Sequence, residues 1–85
     1  MDEAEQRRLR WRCRRGMLEL DLWLQEFFDS CFRDLGASDQ ALFERLLEES
    51  DQTLLGWLSG TSAATDAELR DLVERIRRAS SPAAG

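Results

Sequence analysis

The chain has 85 residues, of which 42% are apolar, so it forms one small domain with a packed core but no deep substrate cavity. Its net charge of −5 at pH 7 disfavours nucleic acid as a partner, and two cysteines without a histidine disfavour a disulfide framework and a zinc site. No apolar run approaches the roughly 18 residues of a membrane span, and the acidic start is unlike a targeting peptide. We therefore expect a cytoplasmic protein without metal ligands or a membrane-inserted segment.

The spacing of apolar residues predicts the first two helices. The first runs from about Glu3 to Arg14, has Leu9 and Cys13 as its core contacts and is followed by a break at Gly16. The second has the most regular pattern, because its apolar residues recur at i, i+3, i+4, i+7, i+8 and i+11. These residues are Leu20, Trp23, Leu24, Phe27, Phe28 and Cys31. We expect this stripe to lie at the centre of the molecule.

Start and stop signals predict three further helices. Gly36 ends the preceding segment, and Ser38 is the predicted N-cap of the third helix. Asp51 is the predicted N-cap of a short fourth helix that ends at Gly60, and Thr65 opens a capping box before the fifth. The apolar residues of these helices are Leu42, Phe43, Leu46, Leu47, Leu54, Leu55, Trp57, Leu58, Leu69, Leu72, Val73 and Ile76.

No segment alternates in the manner of a β-strand. The predicted fold class is therefore all-α, a small five-helix bundle in a single domain over residues 1–79. Residues 80–85 contain Pro82 and small residues, and we expect them to form a flexible tail.

An arginine run that stops at a glycine is the most distinctive feature of the chain. All twelve basic residues are arginine, and six of them fall within residues 7–15, directly before Gly16 and the acidic helix start with Glu19 and Asp21. Arginine offers a planar fork of donors, and a glycine leaves room for another backbone. The pattern predicts an interaction surface, to which Trp11 adds a residue type enriched at binding hot spots.

Several parts of this sequence resemble the succinate dehydrogenase assembly factor 2 family. The resemblance extends from Arg10 through Asp21 and continues at Phe27-Phe28, at Leu46-Leu47-Glu48 and from Asp51 to Leu58. The family signature is Arg-Gly-x-x-Glu, which Arg15, Gly16 and Glu19 match. The resemblance covers nearly the entire chain and implies a bundle of five helices.

The resemblance also implies a function. Members of the family promote covalent attachment of FAD to the flavoprotein subunit of succinate dehydrogenase, and in bacteria to that of fumarate reductase. It implies an assembly factor without a catalytic centre, which binds no cofactor tightly because FAD is attached to the partner. We also expect the chain to be monomeric when free. The predicted partner-binding residues are Trp11, Arg12, Arg14, Arg15, Gly16, Glu19 and Asp21.

Other interpretations of these residues remain open at the level of sequence. Glu19 can be favoured by the helix macrodipole and a local pair with Arg15, and Trp11 can cover an apolar edge of the bundle. Cys13, among arginines, is either a reactive thiol or a buried structural residue, of which we expect the second. The alternative function is a small nucleic-acid-binding module that uses the arginine-rich helix, against which the acidic net charge argues.

Overall fold

The computed structural model describes residues 2–79, which form five α-helices joined by short connections. They are α1 (Glu3–Arg12), α2 (Leu18–Cys31), α3 (Ala37–Leu46), α4 (Asp51–Ser59) and α5 (Ala67–Ala79), and a 3-10 turn (Phe32–Asp34) follows α2. No strand is present in this part of the chain, so the prediction of an all-α five-helix fold is confirmed. The tail predicted over residues 80–85 lies outside the described residues.

Helix α2 packs against α4 and α5, while α5 also packs against α3 and α4. The core includes an aromatic cluster in which the ring centroids of Phe27 and Phe43 are 5.7 Å apart and those of Phe28 and Phe32 are 4.6 Å apart. The predicted core contacts of α1, Leu9 and Cys13, are both buried. Trp23 and Trp57, also predicted as core residues, are only partly buried against the core.

The helix starts differ from the predicted caps by one or two residues, and all three predictions are wrong. The N-cap of α3 is Gly36, not Ser38, and that of α4 is Ser50, whose hydroxyl accepts from the Thr53 amide, not Asp51. At α5 the Asp66 carboxylate, rather than Thr65, accepts from the amides of Glu68 and Leu69. At α4 and α5 two residues with side chains that can cap are adjacent in sequence, whereas α3 begins after Gly36 without a side-chain cap.

The first helix ends at Arg12, two residues before the predicted end at Arg14. The Cys13 amide donates to the Arg10 carbonyl and the Arg14 amide to the Trp11 carbonyl, so the last turn tightens before the chain leaves the helix. Residues 13–17 therefore form a connection between α1 and α2. This connection contains the Arg15-Gly16 pair.

Candidate functional site

The turn at Gly16 requires a glycine for its backbone conformation. Its φ is +83°, in the left-handed region that side chains with a Cβ disfavour. Apart from Gly16 itself and its two chain neighbours, no described residue has an atom within 4 Å of the place where a Cβ would be, so the peptide at Gly16 is open on that side. The glycine thus shapes the turn and leaves it accessible.

Asp21 holds this turn from the first turn of α2. Its carboxylate accepts from the Arg15 amide at 2.6 Å and from the Gly16 amide at 3.3 Å. Neither amide donates to a backbone carbonyl of the described residues, so Asp21 supplies their hydrogen-bond acceptor. Asp21 was predicted as a partner contact, and its carboxylate is bonded within the chain.

The Arg15 guanidinium ties the same turn to the connection between α3 and α4. Its Nε donates to Asp51 Oδ1 at 2.6 Å, its Nη1 to the Leu47 carbonyl at 2.9 Å and its Nη2 to the Glu49 carbonyl at 2.7 Å. The side chain is only 16% exposed. All three guanidinium nitrogens therefore donate within the chain, and Arg15 forms no ion pair with Glu19.

Glu19 lies in the first turn of α2 and is exposed. Among residues 2–79, its carboxylate forms no ion pair and no side-chain hydrogen bond. No side chain caps the start of α2, where the amides and the helix dipole favour a negative charge nearby. The site thus has two parts: Gly16 and Glu19 at the surface, and Arg15 and Asp21, which hold the turn from within the chain.

Trp11 and Arg14 lie together on the other side of the turn. Trp11 is 67% exposed, so its indole does not serve mainly to cover the core, and Arg14 Cζ lies 4.9 Å from the centroid of its ring. These two residues, with Arg7 and Arg10, line a shallow concavity of about 260 Å³. Arg12, the remaining predicted contact, is exposed at the last position of α1.

Arg10 also links α1 to α2. Its Nε and Nη2 donate to the two oxygens of Asp29 at 2.8 Å and 3.0 Å. These hydrogen bonds and the positive charge lower the pKa of the Asp29 carboxyl. The pair fixes the arginine-rich face of α1 beside α2.

Cys13 is a structural residue, as expected. Burial raises the pKa of its thiol to about 12, an effect larger than the opposing influence of the nearby Arg10, Arg15 and Arg12 charges. The Sγ donates to the Leu9 carbonyl at 3.5 Å. A thiol held neutral in the core does not act as a nucleophile.

Sequence reasoning missed three residues of this region. Asp51, predicted as a helix cap, is the ion-pair partner of Arg15, and no periodic signal links residues 36 positions apart. Leu18 and Leu22 are exposed by 77% and 51%. Their i, i+4 spacing outside the core stripe of α2 was a usable signal.

The described helices include none that is long and apolar enough to cross a membrane. Residues 2–79 also contain no group of three or more His, Cys, Asp or Glu side chains placed to hold a metal ion.

Fold and site together define a small helical protein whose distinctive feature is an exposed Gly-x-x-Glu surface. The chain belongs to the family described as flavinator of succinate dehydrogenase, which matches residues 7–80. A relative named FAD assembly factor SdhE, from Shewanella oneidensis, is 45% identical over 75 residues, which cover 88% of this chain and 92% of the relative. A relative of the same name from Pseudomonas aeruginosa is 47% identical over 88% of this chain and 89% of its own length. Another, from Coxiella burnetii, is 37% identical over 88% of this chain and 92% of its own length. The family predicted from the sequence is confirmed.

Proposed function

We propose that this chain binds the flavoprotein subunit of succinate dehydrogenase and promotes the covalent attachment of FAD to that subunit. One observation carries the proposal: the open peptide at Gly16 lies beside a Glu19 carboxylate without a side-chain partner in the described chain. Family membership and the name shared by the relatives support it. The flavoprotein subunit supplies the groups that meet this surface.

The three motif residues and Asp21 have different roles in this proposal. Glu19 accepts hydrogen bonds from the client, and Gly16 lets the client's backbone approach. Arg15 and Asp21 are positioning residues, because their charged groups are bonded to the turn and its surroundings. Arg12, Arg14 and Trp11 flank the contact on the side of α1.

The chain supplies no catalytic group in this mechanism. Attachment is chemistry of the flavin and of a histidine of the client, and the assembly factor holds the client's flavin-binding and capping regions in a reactive conformation. FAD stays with the client and is not bound tightly by this chain. A rigid surface is sufficient for such a role, because positioning alone accelerates a reaction between groups already present.

The proposal has five finer parts. Fumarate reductase is a second client, and the chain acts in the cytoplasm. It is monomeric when free, with residues 1–79 as one domain. Its contacts are with protein rather than nucleic acid.

Co-expression with the flavoprotein subunit tests this function. Flavin fluorescence that stays with the subunit on a denaturing gel measures covalent attachment, which the parent chain should raise above the level without it. Glu19→Ala should lower attachment, because loss of one member of a desolvated charged contact typically costs about 2–5 kcal/mol of binding. Its stability should stay within about 1 kcal/mol of the parent. Glu68→Ala is the matched control, since Glu68 is also exposed in the first turn of a helix.

Two substitutions at Gly16 complete the test. Gly16→Arg adds bulk at the open peptide and strains the positive φ by about 1–2 kcal/mol, so attachment should fall further. Gly16→Asn adds a side chain that tolerates this φ, so its effect on attachment measures bulk with little backbone strain. If Glu19→Ala and Gly16→Arg fold and support attachment as well as the parent does, this surface is not the functional site. If the parent itself does not raise attachment, the proposed function is wrong.

A further inference from the structure

The exposed large apolar side chains of residues 2–79 lie close together in the sequence. They are Trp11, Leu18 and Leu22, which lie within twelve residues of sequence on both sides of the Arg15-Gly16 turn. Scattered single leucines on a surface are normal, but a local group of this kind next to a functional site marks an interaction surface.

On α2 the two leucines begin a stripe that faces away from the core. Leu18, Leu22, Gln25 and Asp29 lie at i, i+4, i+7 and i+11, and therefore on one face of the helix. Leu24 and Phe27, both fully buried, lie on the opposite face. The core of this chain thus does not account for the apolar character of Leu18 and Leu22.

The same stripe adjoins the arginine-rich face of α1. Its last member, Asp29, receives the bidentate hydrogen bonds of Arg10. Arg10 lines the concavity around Trp11 with Arg7 and Arg14, so this face of α2 and the basic face of α1 are fixed beside each other at Asp29.

Only some of the arginines of this region form ion pairs with carboxylates of the chain. Arg10 is paired with Asp29 and Arg15 with Asp51, whereas Arg7, Arg12 and Arg14 form no ion pair with described residues. A partner that covers the leucines therefore meets unpaired positive charge along its edge on the α1 side. Carboxylates at that edge provide the complementary charge.

We propose that Leu18 and Leu22 are apolar anchors of the client-binding surface. The segment of the flavoprotein that they receive is apolar at its centre and carries carboxylates on the edge that faces α1. This inference rests on the proposed function and extends it to residues outside the Arg-Gly-x-x-Glu motif.

Titration calorimetry with the purified flavoprotein subunit without covalent flavin tests the inference. Leu18→Gln and Leu22→Gln should each weaken binding at least tenfold and make the heat-capacity change of binding less negative, because less apolar surface is buried. Their melting temperatures should equal or exceed that of the parent, since both side chains are exposed. Ala41→Gln, an exposed position on α3, is the control.

Substitutions of two arginines test whether the partner carries carboxylates on the edge that faces α1. Arg12→Gln and Arg14→Gln should weaken binding at low salt and flatten its salt dependence, whereas the leucine variants should leave the salt dependence unchanged. Arg70→Gln, at an exposed residue of α5, is the matched control. An unchanged salt dependence in both arginine variants would overturn the acidic edge.

Three further outcomes overturn the inference in distinguishable ways. Parent-like binding by both leucine variants, while Glu19→Ala is impaired, shows that the client does not use the leucines. A change from dimer to monomer in Leu18→Gln, with unaffected client binding, assigns the face to a second copy of this chain. No binding by the parent overturns the proposed function, and this inference with it.

Discussion

At the scale of single residues, the Arg15-Gly16 turn is held from both sides by charged groups that satisfy backbone atoms. Arg15 donates to the carbonyls of Leu47 and Glu49, and Asp21 accepts from two amides of the turn. Charge-assisted hydrogen bonds of this kind are about twice as strong as neutral ones. Two residues predicted as partner contacts therefore serve first to give the turn its shape.

We predict that Arg15→Gln destabilises the fold by about 2–4 kcal/mol. The substitution removes the fork that reaches Asp51 and two partly buried carbonyls at once, and a single hydrogen bond of a charged group contributes about 1.5–3 kcal/mol. Urea denaturation of the purified chain measures the change. Arg12→Gln, at an exposed arginine three residues earlier, should stay within about 0.5 kcal/mol of the parent. Equal stability of the two variants would mean that the Arg15 contacts do not stabilise the turn.

The sequence predicts the exposed residues of the site, Gly16 and Glu19, better than the contacts that Arg15 makes within the chain. Gly16 could be recognised because a glycine that ends a helix often takes a positive φ, and Glu19 because carboxylates favour a first helical turn. The link from Arg15 to Asp51 depends on how α1, α3 and α4 come together. Local patterns contain no information about a contact over 36 positions.

At the scale of helices, the helical type and the end of α4 at Gly60 were predictable, whereas the first residues of α3 and α4 were not. The apolar residues of α2 recur with the period of a helix because one face packs against the core, so their spacing alone predicts the helix. A cap instead depends on one pair of backbone angles. Ser50 and Asp51 both have side chains that can cap, and only Ser50 has the extended conformation from which its hydroxyl reaches the Thr53 amide.

We predict that Ser50→Ala costs about 1 kcal/mol of stability and Ser38→Ala less than about 0.5 kcal/mol. Ser50 caps α4, whereas Ser38 lies inside the first turn of α3 and forms no side-chain hydrogen bond with described residues. Thermal denaturation of both variants gives the comparison. A larger loss for Ser38→Ala would show that Ser38 is the cap of α3, as its sequence position first indicated.

At the scale of the whole molecule, one aromatic cluster joins α2 to α3 and to the 3-10 turn. Phe27 is 1% exposed and stacks on Phe43 of α3, which also contacts Phe28 and Phe32. We predict that Phe27→Ala costs about 3–5 kcal/mol, because it leaves a cavity in addition to removing apolar burial. That is a large share of the roughly 5–15 kcal/mol by which small domains are stable. A melting temperature close to that of the parent would contradict the central position of Phe27.

The distribution of charge over the whole molecule separates protein binding from nucleic-acid binding. The net charge is −5, and two of the six arginines of residues 7–15 are paired with aspartates. About four arginines remain for phosphates, so any DNA complex should show a slope of log affinity against log salt of about −3.6. We predict that the purified chain binds random duplex DNA poorly at physiological salt under conditions in which it captures the flavoprotein subunit.

Fluorescence anisotropy with labelled duplex DNA over a range of salt concentrations measures this prediction. Arg14→Gln is the informative variant, since loss of one phosphate contact would reduce the slope by about 0.9 in a true DNA binder. Weak binding in all variants supports a protein partner, because long-range repulsion from an acidic molecule opposes a polyanion. Tight binding with a slope near −3.6 that falls in Arg14→Gln would instead assign the basic face of α1 to nucleic acid.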